Sequence, residues 1–99
     1  MNLKQLEAFI KVSDSKSFSK AAQELAYTPS GVSQLISALE KDLRFPVLER
    51  MRNGVRLTEN GQRILPIVRA IVQEEDRLLQ LTSEIRGLSI GRVTIASYP

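Results

Sequence analysis

Ser30, Ser33, Gln34, Ser37 and Lys41 are the side chains whose spacing points to chemistry. On a helix they share one side, opposite an apolar stripe of Val32, Ile36, Leu39 and Leu43. The polar side is small and free of acid. Hydroxyls and a carboxamide without neighbouring carboxylates can approach base edges and phosphates, where a face carrying Glu would be repelled. Gln34 is the natural base reader, because a Gln amide can pair bidentately with adenine in a major groove. Ser30 and Ser33 can bond bases or phosphates, and free N–H groups at the start of such a helix can meet a phosphate. The plain alternative for the same face is a solvated, serine-rich surface. A second cluster follows in Arg44, Arg50, Arg52 and Arg56, set against Glu49, which makes this the most basic segment of the chain.

Charge placement agrees with a polyanionic partner. Residues 1–57 hold nine Lys/Arg and six Asp/Glu and carry the whole net charge of +3; residues 58–99 hold five of each. The composition, 42% apolar and 25% charged, is ordinarily globular. With no cysteine and no histidine, the sequence offers no disulfide, no thiolate or imidazole metal site, and neither a histidine base nor a cysteine nucleophile. Its serines lie in no nucleophile elbow, and no phosphate-binding or dinucleotide loop is present. The expectation is a protein that is not an enzyme and needs no cofactor and no metal. Asn2, Lys4, Gln5 and Glu7 interrupt any signal peptide, and the apolar run Ile64–Val72 is broken by Pro66 and Arg69. A cytoplasmic location and no membrane partner are expected.

The elements that must position these residues follow from periodicity. Leu3, Leu6, Phe9 and Ile10 give one face of a first helix over residues 2–14, closed by the polar turn Ser13-Asp14-Ser15-Lys16. Ser17 caps a second helix that runs to about Ala26, with Phe18, Ala21, Ala22 and Leu25 inward. Tyr27-Thr28 makes a short turn, Thr28 caps the third helix, and Pro29 takes its first position, where a missing N–H is harmless. Thr28 thus reads as a cap first and a phosphate contact second.

Pro46-Val47-Leu48 and Val55-Arg56-Leu57 read as short strands around Asn53-Gly54, a tight-turn signal. Two short helices, a tight turn, a polar third helix and a hairpin together predict a mainly α fold, a winged helix-turn-helix over residues 1–58. Arg52 and Arg56, beside the turn, read as phosphate contacts. Arg50 has two readings: it reaches DNA, or it braces the fold through a carboxylate such as Glu40. The linker segment 59–88 follows; its long helix is predicted from Thr58 to about Arg86, with Gly87 as its stop and a bend expected near Gln62 because Pro66 removes a hydrogen bond. At 1.5 Å per residue it would extend about 43 Å, more than a small domain covers. Ile64, Val68, Ile71, Leu78 and Ile85 are its expected seam with a second copy, interrupted by Glu75 and Thr82. Part of that stripe can instead be buried against the protomer's own domain. Gly91–Ser97 reads as a strand opening a further, truncated domain over 89–99.

Ser17-Phe18-Ser19-Lys20-Ala21-Ala22 with Leu25, Val32-Ser33, Leu39-Glu40, Arg50, and Leu57-Thr58 with Gly61 resemble the signature of LysR-type transcription regulators. The resemblance covers residues 1 to about 88 without a gap. It implies a ligand-responsive regulator, a dimer or at full length a tetramer, whose linker helices pair and whose C-terminal domain takes a small effector. It also implies that Pro29, Ser30, Ser33 and Gln34 face double-stranded DNA, with wing arginines near the backbone or minor groove. The sequence departs from the family pattern at three positions. Pro29 stands where glutamine is frequent, so a base-reading amide is lost there, and Leu48 stands where phenylalanine is usual. Arg44 occupies the glycine that usually ends helix three; either it adopts a left-handed conformation at about 1 kcal/mol, or the helix ends differently. The rival from another class is a helical adaptor that binds protein.

Overall fold

The computed structural model describes residues 1–87, in the order α1 (Leu3–Ser15), α2 (Phe18–Leu25), α3 (Pro29–Leu43), β1 (Leu48–Met51), β2 (Gly54–Leu57) and α4 (Glu59–Ile85). The strand expected from Gly91 and the domain expected over 89–99 lie outside the described residues. The chain divides into two units, Met1–Arg69 and the part from Ala70 onward. Among the described residues no helix is long and apolar enough to cross a membrane.

Each of the first three helices starts where its side chains can cap it. Asn2 and Gln5 form a reciprocal capping box on α1: the Gln5 N–H donates to Asn2 Oδ1 at 2.9 Å and the Asn2 N–H to Gln5 Oε1 at 3.0 Å. Ser17 accepts from the Lys20 N–H at 3.1 Å and Thr28 from the Gly31 N–H at 3.0 Å, as the sequence predicts for both. All three helices also end alike, on a left-handed residue that is not glycine: Lys16 (φ 57°), Ala26 (φ 59°) and Arg44 (φ 69°). Arg44 therefore takes the strained option and closes α3 through its N–H to the Glu40 carbonyl at 2.7 Å. Each left-handed residue costs about 1–2 kcal/mol, which tertiary packing must offset.

That packing comes from the first unit's core. Leu6, Ala8, Phe9 and Val12 of α1, Ala21 and Ala22 of α2, and Val32, Ile36 and Leu39 of α3 are buried where the three helices meet pairwise. The adjacent alanines let α2 come close, as small residues at a helix crossing do. Val47, Val55 and Val68 complete the core. Two expectations shift. On α1, Ala8 and Val12 are fully buried, whereas Leu3 and Ile10 are only half-buried. Phe18, expected inside, is likewise half-buried.

The hairpin is displaced from its expected register. Leu48 pairs with Leu57, Glu49 with Arg56, Arg50 with Val55 and Met51 with Gly54, so Arg52 and Asn53 form the two-residue turn. Gly54 is the first residue of β2 and has φ 141°; a Cβ there would sit 3.0 Å from the Lys16 carbonyl oxygen. Val47 precedes the strand as a buried loop residue, because its carbonyl is occupied by the joint to α4. There the Thr58 N–H donates to the Val47 carbonyl at 3.1 Å, the Thr58 hydroxyl donates to the Pro46 carbonyl at 2.8 Å, and that same hydroxyl oxygen caps the Gly61 N–H at 2.9 Å. Gly61 is buried so tightly on this joint that any Cβ would collide with the Val47 carbonyl.

Further along, Arg69 forks onto the carboxylate of Asp14, with Nη2–Oδ1 2.5 Å and Nη1–Oδ2 3.2 Å. The hydrogen bonds from Arg69 hold the Asp14 carboxyl below its usual range; burial opposes them, and the charges of Arg69 and Lys11 add to the lowering. A carboxyl lowered in this way stabilises the fold above its unfolded pKa, and that contribution disappears as the pH falls through the folded value. Both partners are close to half-exposed, so the effect is small. Asp14→Asn should lower the thermal midpoint slightly at about pH 7, with the gap to the parent chain closing below about pH 4. Calorimetry across that range checks it; a gap that stays constant into acid would assign the loss to something other than this pair.

Candidate nucleic-acid interface

Burial of Val32, Ile36 and Leu39 turns the opposite side of α3 outward. Thr28, Pro29, Ser30, Gln34, Ser37 and Lys41 are exposed there, and Ser33 is half-buried at its edge. The first turn of α3 contains no acidic residue. The two acids of α3 lie off this face. Asp42 pairs with the amino group of Met1, and Glu40 is turned toward the hairpin. Fewer backbone donors are open at the helix start than the sequence suggests. Pro29 has none and the Gly31 N–H is held by Thr28, so the Ser30 N–H is the one left without a bond among the described residues. The Thr28 and Ser30 hydroxyls lie 3.3 Å apart, which ties the cap to the first exposed serine.

The wing is fastened to α3 at two points. Glu40 Oε2 accepts from the Val47 N–H at 2.8 Å and the Leu48 N–H at 3.2 Å, so one carboxylate fixes the chain as it enters β1. Arg50 supplies the second. Its guanidinium carbon lies 4.2 Å from the centroid of the Phe18 ring, and its Nη2 donates to Ser33 Oγ at 3.2 Å. Of the two readings of Arg50, the brace to Glu40 is not formed, because Glu40 is committed to backbone amides and Arg50 to an aromatic face and a hydroxyl. Neither partner of Arg50 was evident in the sequence; both are distant in it, and an Arg–aromatic contact leaves no local pattern.

The three wing arginines are not equivalent. Side chains alternate along a strand, so Arg50, cross-strand from Val55, and Arg56, cross-strand from Glu49, lie on opposite faces of the hairpin. Arg56 donates through Nε (3.2 Å) and Nη2 (2.8 Å) to Glu49 Oε1, which largely balances its charge. Arg52, at the turn, is exposed and makes no ion pair among the described residues. The candidate surface thus groups Thr28, Pro29, Ser30, Ser33, Gln34 and Ser37 on α3, with Arg50 beside Ser33 and Arg52 at the hairpin turn. Arg56 sits apart from that group.

The expected seam residues of α4 also separate. Val68 is 5% exposed and packed in its own unit, so it has no surface to offer a partner, which corrects its assignment. Ile64 is half-buried. Ile71, Leu78 and Ile85 are exposed, as is Leu79, which widens the same stripe; Ile67 and Leu81, which the sequence reading did not place there, are exposed as well.

A family model described as "Bacterial regulatory helix-turn-helix protein, lysR family" matches residues 3–62. The chain is 34% identical to the uncharacterized HTH-type transcriptional regulator YvbU of Bacillus subtilis, over 99% of this chain and 34% of that protein. It is 39% identical to the HTH-type transcriptional regulator CzcR of Bacillus cereus, over 100% of this chain and 36% of that protein. It thus spans about a third of the length of these relatives. Among solved structures, the DNA-binding domain of CbnR in complex with DNA is similar at a TM-score of 0.80 and 29% identity, covering 87% of this chain and 99% of that one. That of BenM with catB site 1 DNA is similar at 0.82 and 29%, covering 87% and 97%.

Removing the Glu40 carboxylate strands two partly buried amides. Glu40→Ala should cost about 1–3 kcal/mol in urea unfolding, and Glu40→Gln, which keeps an acceptor, should cost less. Equal losses for the two variants would mean that the amides find other partners.

Proposed function

The chain belongs to the lysR family of bacterial regulatory helix-turn-helix proteins, and from that premise we propose that it is the sequence-specific DNA-binding part of a transcriptional regulator. In this reading α3 lies in the major groove of double-stranded DNA, with Gln34 as the chief base reader and Ser30, Ser33 and Ser37 on bases or phosphates. Thr28 and Pro29 approach the backbone at the helix start. Arg52 meets a phosphate or the minor groove at the wing tip, and Arg50 flanks the groove beside Ser33. Arg56, expected with them, has a weaker part because Glu49 already pairs with it.

The observation that carries the reading is the exposed face of α3, which presents hydroxyls, one carboxamide and a lysine with no carboxylate among them. Duplex titration at two salt concentrations tests it. Strong weakening at the higher salt is expected, because phosphate contacts release counterions; binding that ignores salt would favour a protein-binding adaptor. Arg52→Ala should lower the slope of log affinity against log salt by about one unit, and Arg56→Ala by less. Equal changes for the two arginines would count against the role of the Glu49 pair.

We further infer that the chain acts as a homodimer through α4, its seam formed by Ile71, Leu78 and Ile85 with Leu81 beside them. These residues stay 42–76% exposed, and three of them repeat every seven positions. The regulator's response to a small effector, and any tetramer, would depend on a further domain such as longer relatives have room for. Leu78→Glu should convert the dimer to a monomer in sedimentation velocity and weaken binding to paired half-sites. A variant that sediments as the parent does would remove Leu78 from the seam.

A further inference from the structure

We propose that Arg50 is a positioning residue that fixes Ser33 as a hydrogen-bond donor toward DNA, so that the base opposite Ser33 is selected for carrying an acceptor. The inference rests on the DNA-binding reading above and names the specificity of one position within it.

The geometry begins with the guanidinium. Its carbon lies 4.2 Å over the centroid of the Phe18 ring, and its Nη2 donates to Ser33 Oγ, 3.2 Å away. Both the wing and the first residue of α2 hold the group, so it is oriented without help from the ligand. No carboxylate pairs with Arg50 among the described residues, so no ion pair competes with the hydroxyl for its donors. A hydroxyl that accepts a charged hydrogen bond is polarised, and its own proton becomes the better donor.

That proton has no other use. The hydroxyls of Ser15 and Thr82 each donate to the carbonyl four residues back, at 2.8 and 2.7 Å. Ser33, also within a helix, accepts from Arg50 and donates to nothing among the described residues. A serine is ordinarily an ambiguous reader, since it can donate or accept. Here one lone pair is taken and the proton is free, so the acceptors of a major-groove edge fit it: purine N7, guanine O6 or thymine O4. The amino group of cytosine does not.

The test is selection of bound duplexes from a random pool by the parent chain, Ser33→Ala, Arg50→Lys, Phe18→Leu and the Ser33→Ala/Arg50→Lys double variant. The parent should enrich guanine, thymine or adenine over cytosine at one position of the half-site. Ser33→Ala should flatten that position and weaken binding to the best duplex about fivefold, the loss of one ordinary hydrogen bond. Arg50→Lys, which keeps the charge but loses the planar fork, should flatten the same position, and the double variant should go no further there than Ser33→Ala. Phe18→Leu, which removes only the aromatic face, should flatten it in part. A merely structural role would weaken all duplexes alike and leave the preference intact, and that result would overturn the inference. So would flattening at different positions, or additive effects. A parent chain that enriches no sequence at all would overturn the DNA-binding reading itself, and is distinguishable because it shows before any variant is compared.

Discussion

Everything at the interface depends on which side of α3 is buried. Val32, Ile36 and Leu39 are sealed against the other two helices, and each such side chain contributes about 1.5–3 kcal/mol by leaving water. Turning α3 about its axis would expose all three and bring hydroxyls and an amide into the core without partners. Several kilocalories per mole therefore hold the serine face outward.

The wing inherits its position from the same helix. Glu40 reaches from α3 to the amides before and at the start of β1, and Arg50 reaches back from β1 to Ser33. The two contacts run in opposite directions between the same two elements, so the hairpin is fixed relative to the proposed reading face. Charge is sorted at the same time. Arg56 is paired with Glu49 across the hairpin, Arg50 lies against Phe18 and Ser33, and Arg52 is exposed at the turn with no ion pair among the described residues. A patch that looks uniform in sequence resolves into three arginines with different surroundings.

What was legible in the sequence is what local rules determine. Ser17, Thr28 and Pro29 mark helix starts because capping acts over three residues, and the i, i+4, i+7 stripe of α3 names its buried side. The hairpin slipped because Asn53-Gly54 suits the centre of a tight turn, whereas Gly54 is needed one place later, where its backbone passes close to Lys16. Val68 looked like seam because heptad spacing cannot distinguish a partner helix from the protomer's own core. The Phe18–Arg50–Ser33 cluster and the commitment of Glu40 to the wing were invisible for a similar reason. They join positions far apart in the chain, and no periodicity records such pairings.

Methylation interference on a selected duplex addresses the central claim most directly, since it reports which groove the protein occupies. If α3 reads the major groove, methyl groups on guanine N7 within the half-sites will block binding. Binding that is indifferent to guanine N7 and blocked only by methylation of adenine N3, in the minor groove, would contradict the placement of the serine face and the account built on it.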